Sequence, residues 1–219
     1  MKQKLSEYLE PTEYIESNNP EIIRFSKAIV TSATDERQAA INIYYAIRDD
    51  IIYDPYFIGD NPNFFRASAC LSNKRGFCIP KAALMTACLR QAGIPARVGY
   101  ADVRNHLTTP KLASLTEIDI YMWHGYSEVY LENRWVKVTP IFNLSLCERF
   151  KVKALDFNGH DDSLFQEHDQ LGRRHMEYVN ERGYFVDVPY ELIIDDFRKY
   201  YPKWLSNGPE LSLESNDFL

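Results

Sequence analysis

The sequence predicts an α+β fold in which the helices come first and an antiparallel sheet follows. Three observations predict it. Residues 35–52 carry Ala39, Ile43, Ile47 and Ile51 at four-residue spacing, which is the apolar stripe of an amphipathic helix. Residues 78–92 are apolar around most of a helix circumference, through Ala82, Ala83, Leu84, Met85, Cys88 and Leu89, so this helix is buried on all sides. From residue 96 onward, segments rich in Val, Tyr and Trp alternate in the manner of strands.

Each element has its own punctuation. Thr34 is placed to cap the first helix, and Tyr53-Asp54-Pro55 stops it. Gly93 and then Pro95 end the buried helix. Strands are expected at 96–103, 125–131 and 134–138, the last two joined through Glu132-Asn133 as a short hairpin. Farther on, 157–184 reads as a long, irregular, polar excursion, 190–200 as a helix, and 208–219 as a tail polar enough to fray. No repeat or low-complexity linker divides the 219 residues, so one domain is expected over 1–219, with a core at about 35–145 and a C-terminal extension at 146–205.

Composition narrows the function. The chain has 25 Lys and Arg against 31 Asp and Glu, a formal charge of −6, and no basic tract, which excludes the electrostatic footprint of a nucleic-acid binder. No apolar run approaches the roughly 18 residues of a membrane span, and the start MKQKLSEYLEPTEYIE lacks the apolar segment of a secretory signal. A cytoplasmic protein is expected. Its four cysteines, Cys70, Cys78, Cys88 and Cys147, form no CxxC pair, so reduced thiols are expected and a zinc ribbon is excluded.

Cys78 stands at the start of the buried helix, where unpaired backbone N–H groups and the helix dipole both favour an anion. In Gly76-Phe77-Cys78-Ile79-Pro80-Lys81, Gly76 is expected to let the chain turn sharply, and Pro80 removes an N–H that would lack a partner. The alternative for any cysteine is a small buried hydrophobe, which is the reading of Cys88.

The run Arg75-Gly76-Phe77-Cys78, then Lys81-Ala82, then Leu89-Arg90-Gln91-Ala92-Gly93-Ile94-Pro95-Ala96-Arg97 resembles the nucleophile helix of the transglutaminase-like superfamily, a papain-like cysteine fold. His124-Gly125-Tyr126-Ser127-Glu128-Val129-Tyr130-Leu131 and Arg134-Trp135-Val136-Lys137-Val138 resemble its histidine strand and the strand paired with it. The resemblance implies a nucleophile helix packed on an antiparallel sheet, Cys78 as nucleophile and His124 as its base. In members with the full triad an aspartate follows the second strand and orients the histidine; here Thr139 stands there, before Pro140. Thr139 is ranked first as the orienting group, Asn143 second, by analogy with the amide of papain-like enzymes, and Asp102 third. Glu128 lies four residues along a strand from His124, roughly 13 Å away, and is too far.

Ala101-Asp102-Val103-Arg104-Asn105-His106 and Gly172-Arg173-Arg174-His175-Met176-Glu177-Tyr178 resemble a bacterial branch of uncharacterised transglutaminase-like proteins in which the threonine is usual. That places His106, His175 and Glu177 as candidates to line the cleft with Asp102, the alternative being a polar network that fastens the excursion to the sheet. His160, Asp161, Asp162, His168, Asp169, His175 and Glu177 match no ligand spacing, so no metal is expected. No oxygen-rich calcium loop and no GxGxxG or Walker A run is present, so no cofactor is expected.

The expected function is amide or peptide hydrolysis, or acyl transfer, through a Cys78 acyl-enzyme, on a peptide, protein or small amide. The Cys78 N–H is the natural oxyanion donor. The competing expectation is a domain without catalysis that binds a peptide or protein partner in the same cleft.

Overall fold

The computed structural model describes residues 5–106, 108–164, 168, 170–173 and 175–214, with side chains through Gly208. Helix α1 (Pro20–Val30) begins at Asn19, whose side chain accepts the Glu21 N–H. Helix α2 (Glu36–Asp50) begins one residue later than Thr34 would set it: Asp35 is the cap, its carboxylate accepting the Gln38 N–H at 2.8 Å. A carboxylate takes this N–H more strongly than a hydroxyl and also complements the helix dipole.

A short parallel pair, β1 (Ile52–Tyr53) with β2 (Arg75–Gly76), frames helix α3 (Ala67–Asn73) and leads into α4 (Cys78–Gln91). Gly76 serves here by close approach, since a Cβ on it would lie 2.9 Å from Cys70 Sγ and 3.1 Å from Pro80 Cγ. The expected sharp turn is absent: Gly76 is strand, paired with Tyr53. Residues Ile79 to Arg90 of α4 are all buried, as the apolar circumference requires.

Strands β3 (Ala96–Asn105), β4 (Ile120–Leu131), β5 (Arg134–Val138) and β6 (Met176–Phe185) form an antiparallel sheet in the order β5-β4-β3-β6. Between β3 and β4 lies helix α5 (Pro110–Thr116). The β4–β5 turn has Glu132 and Asn133 both at positive φ, 51° and 65°, as a two-residue hairpin turn demands. β6 corrects the reading of 157–184 as irregular throughout. Its residues alternate weakly and carry charge, yet it completes β3 on the open side, and backbone pairing alone suffices for an edge strand. Helix α6 (Leu144–Phe150) follows β5, and α7 (Tyr190–Tyr200) and α8 (Pro202–Glu214) follow β6. Helical backbone therefore continues into the segment read as a fraying tail, of which 215–219 lie outside the described residues.

Helix α4 lies across β4, and the contact is set by small and hydroxyl residues. A Cβ on Gly125 would meet Ile79 Cα at 3.1 Å and the Cys78 carbonyl oxygen at 3.3 Å, so a glycine here lets the helix start sit closely on the strand. Thr86 donates to Ser127 Oγ at 3.2 Å, and Ser127 donates to the Ala82 carbonyl at 3.0 Å, which stitches α4 to β4 with every hydroxyl proton used. Arg90 leaves the helix end to donate to the carbonyls of Ala96, Glu10 and Val186. Among the described residues no helix is long and apolar enough to cross a membrane.

Candidate active site

Cys78 is the first residue of α4, preceded by Phe77 in extended conformation at φ −85°, ψ −170°. Phe77 has no side chain able to cap, so the first turn keeps its N–H groups for other acceptors. Burial pushes the Cys78 thiol up to about 11, although the backbone N–H groups of Gly125, Ile79 and Cys78 itself pull the other way. The helix start is also a desolvated place, and there burial opposes the anion more than the three N–H groups favour it. The other thiols suffer as much or more. Burial raises Cys147 to about 11, Cys70 to about 12 and Cys88 further still. Cys78 is half-buried, whereas the other three are buried.

His124 stands on β4 beside Gly125. Burial alone pushes its pKa down from 6.5 to about 4, which keeps the imidazole neutral and competent to take a proton. Its Nε2 is buried with no hydrogen-bond partner among the described residues. Cys78 and His124 line one cavity, of about 780 Å³ with its mouth.

The backbone just before His124 is irregular. Ala101 pairs with His124 and Val103 with Tyr121, so Asp102 alone faces Met122 and Trp123: a β-bulge, of the kind that re-aims a side chain at a site. Trp123 takes φ 59°, a left-handed conformation costly for a tryptophan. Asp102 holds it there. Its carboxylate accepts the Trp123 N–H at 3.2 Å, the Asn180 side-chain N–H at 3.2 Å and the Arg182 Nε–H at 2.5 Å. Arg182 also bonds Asp196 at 2.8 Å, and Asp196 accepts the Trp123 indole N–H at 2.7 Å. Asp102 is thus not the partner of the His124 ring; its oxygens serve the bulge.

Asn143 is likewise engaged elsewhere. Its amide oxygen accepts the Tyr53 N–H at 3.1 Å and its amide nitrogen donates to Ser145 Oγ at 2.7 Å, which ties β1 to the start of α6. Thr139 follows β5 by one residue, and Val138 pairs with Ser127. Continuing that register sets Thr139 opposite Tyr126 and diagonal to His124 on the same face. Its hydroxyl is buried with no hydrogen-bond partner among the described residues. Glu128 is out of reach of His124 and forms a buried ion pair with Arg97 at 2.6 Å.

Of the three residues expected to line the cleft, His175 does so, its ring stacked on Phe142 with centroids 6.0 Å apart. His106 and Glu177 do not. They meet each other at 3.4 Å, and Glu177 lies 3.7 Å from Arg104, which pairs with Asp119 at 2.9 Å. This is the fastening network, joined to the site only where the His106 N–H donates to the His175 carbonyl at 2.8 Å. In the histidine- and acid-rich stretch, His160 pairs with Asp161, and Asp162 accepts the Lys137 N–H. Asp169 and Arg174 lie outside the described residues, as does any contact they make.

The sequence reading missed the cavity's apolar wall, to which Tyr53, Phe142, Phe150, Phe197 and Trp204 contribute from five separate segments. No local pattern links them. It also missed the bulge, for which a tryptophan directly before the histidine is the only local trace.

A family model described as the transglutaminase-like superfamily matches residues 23–140. Among solved structures, a suggested cysteine protease from Cytophaga hutchinsonii is 15% identical, with a TM-score of 0.49 over 84% of this chain and 55% of that one. A suggested protease from Parabacteroides distasonis is 18% identical, with a TM-score of 0.38 over 61% of this chain and 25% of that one. The periplasmic domain of TgpA from Pseudomonas aeruginosa is 17% identical, with a TM-score of 0.41 over 61% of this chain and 45% of that one. The chain therefore spans about half the length, or less, of each of these structures. No curated protein matches significantly.

Proposed function

From the premise that the chain belongs to the transglutaminase-like superfamily, we propose that it is a thiol enzyme which cleaves or transfers an acyl group, with Cys78 as nucleophile and His124 as base. The observation that carries this reading is that Cys78, at the N-terminus of a buried helix, and His124, on the strand against which that helix start lies, line a single cavity. Both groups rest neutral, the thiol raised to about 11 and the imidazole lowered to about 4. Proton transfer therefore accompanies attack instead of preceding it.

His124 takes the thiol proton as the sulfur bonds to the carbonyl carbon of an amide or ester. The developing oxyanion finds the Cys78 N–H. The C–N or C–O bond then breaks, the imidazolium returns its proton to the leaving group, and a thioester remains on Cys78. Water, activated by the same imidazole, releases the acid. Hydrolysis is favoured over transfer to an amine because water is always present, and no carboxylate able to hold an amine is among the described lining residues of the cavity. The substrate is a peptide, a protein or a small amide. Four free cysteines, three of them buried, suit a reducing compartment, and we assign the activity to the cytoplasm.

A second reading rests on a specific observation: among the described residues His124 Nε2 and the Thr139 hydroxyl are both buried without partners, and no carboxylate bonds to that ring nitrogen. A domain that binds a peptide without cleaving it would tolerate this. Labelling of the intact chain with an electrophilic acyl probe, followed by mass mapping, separates the two. An adduct on Cys78 that His124→Ala suppresses supports the enzyme. Saturable peptide binding with no adduct supports the binding domain.

A further inference from the structure

We propose that the group lodged beside Cys78 is a bulky, apolar, uncharged acyl side chain of aromatic or medium aliphatic size; this rests on Cys78 being the nucleophile. One wall of the cavity is built by Phe142, Leu146, Phe150, Val152, Met176 and Trp204, and no Asp, Glu, Lys or Arg is among its described lining residues. A charged substrate group entering it would lose its hydration and find no opposite charge. An apolar group would exchange water for close-packed contacts. Small-molecule sites are mostly apolar with a few convergent polar groups, and this lining has that character.

The cavity's polar groups are few, and His175 is one of them, stacked on Phe142. Thr108 and Tyr121 share a hydroxyl hydrogen bond of 2.7 Å and line the cavity with Asn105 and His124. The reacting carbonyl lies by Cys78 and His124, and the surrounding apolar side chains receive the acyl side chain. Van der Waals contact and desolvation then select the substrate, and a charge on the entering group counts against binding.

The test uses the full chain and four p-nitrophenyl esters: acetate, hexanoate, phenylacetate and the monoanionic glutarate. In each, the Cys78 sulfur–carbon bond forms, the ester C–O bond breaks, and p-nitrophenolate leaves. The expected kcat/KM for hexanoate and phenylacetate exceeds that for acetate by about tenfold or more, because each buried methylene multiplies affinity by roughly four, and glutarate falls below acetate. Equal rates for all four, or a preference for glutarate, would overturn the proposal. A second arm does not require turnover: hexanamide and phenylacetamide should protect Cys78 from iodoacetamide, and glutaramate should not. If no ester acylates Cys78, the enzymatic reading fails, while selective protection by the neutral amides still supports the apolar occupant, and absent protection overturns it. Met122→Glu, from the cavity lining, should weaken protection by about tenfold, and Met122→Leu should retain it, each variant being checked for folding by circular dichroism.

Discussion

Asp102 accepts the backbone N–H of Trp123 at 3.2 Å, and through that bond a carboxylate which never touches the imidazole sets the backbone that carries it. Trp123 at φ 59° is held in a conformation worth roughly 1 kcal/mol or more of strain, and the Asp102–Arg182–Asp196 chain around it keeps it there.

Asp102→Ala should therefore lower Cys78 acylation by about 10- to 100-fold, since a displacement of an ångström or so at a reacting group has that effect. Asp102→Asn keeps an oxygen for the Trp123 N–H and should retain most of the activity. NMR titration of His124 distinguishes repositioning from general damage. In the alanine variant its pKa should climb from about 4 toward 6.5 as the ring gains solvent.

Stability should fall in acid because of His124. The folded chain holds the ring unprotonated down to about pH 4, whereas an unfolded chain takes up the proton near 6.5. Between those values the unfolded state binds more protons, so stability is fully present above about pH 6.5 and declines as pH drops toward 4. The loss is on the order of 3 kcal/mol. Urea titrations of wild type and His124→Gln at pH 7 and pH 4.5 measure it; an identical acid decline in the two would refute the assignment.

Thr139 offers a gain and a control. Its hydroxyl is buried and unpartnered, so Thr139→Val should leave the acylation rate of Cys78 unchanged and raise stability by up to about 1 kcal/mol, as removal of an unsatisfied polar atom does. Thr139→Asp puts a carboxylate diagonal to His124, which should raise the His124 pKa and hold or increase the rate of Cys78. If the folded aspartate variant reacts only as fast as His124→Ala, the diagonal position is not the orienting one.

Iodoacetamide at pH 7 should modify Cys78 first in the folded chain, because Cys70, Cys88 and Cys147 are buried. The rate should keep rising with pH well beyond 9, toward the raised pKa of about 11, since only the thiolate reacts. A plateau near pH 6 would instead reveal a preformed thiolate–imidazolium pair.

Lys81 ties the nucleophile helix to the C-terminal end of α2. Its amine donates to the Ile51 carbonyl at 2.5 Å and the Arg48 carbonyl at 3.3 Å, and burial pushes its pKa down to about 7. Lys81→Met fills the volume but leaves both carbonyls without their donor, and thermal unfolding should show a loss of about 2 kcal/mol.

What the sequence by itself determined was local. The apolar circumference of residues 78–92 compels a buried helix, and the Gly93 and Pro95 stop ends it where α4 ends, at Gln91. The alternation and the Glu132-Asn133 turn likewise yield β4 and β5, because hydrogen-bond period and turn geometry are written in neighbouring residues. The flanking motifs of Cys78 and His124 single out two residues that line one cavity. The tertiary structure decided what depends on distant partners. It gave Asn143 to Tyr53 and Ser145, gave Asp102 to a bulge, and gave Glu177 to a surface network. It also gathered the aromatic wall from segments far apart in the chain. A side chain's hydrogen-bond partner and the desolvation that raises Cys78 and lowers His124 are set by what folds over it, and sequence neighbours carry no record of that.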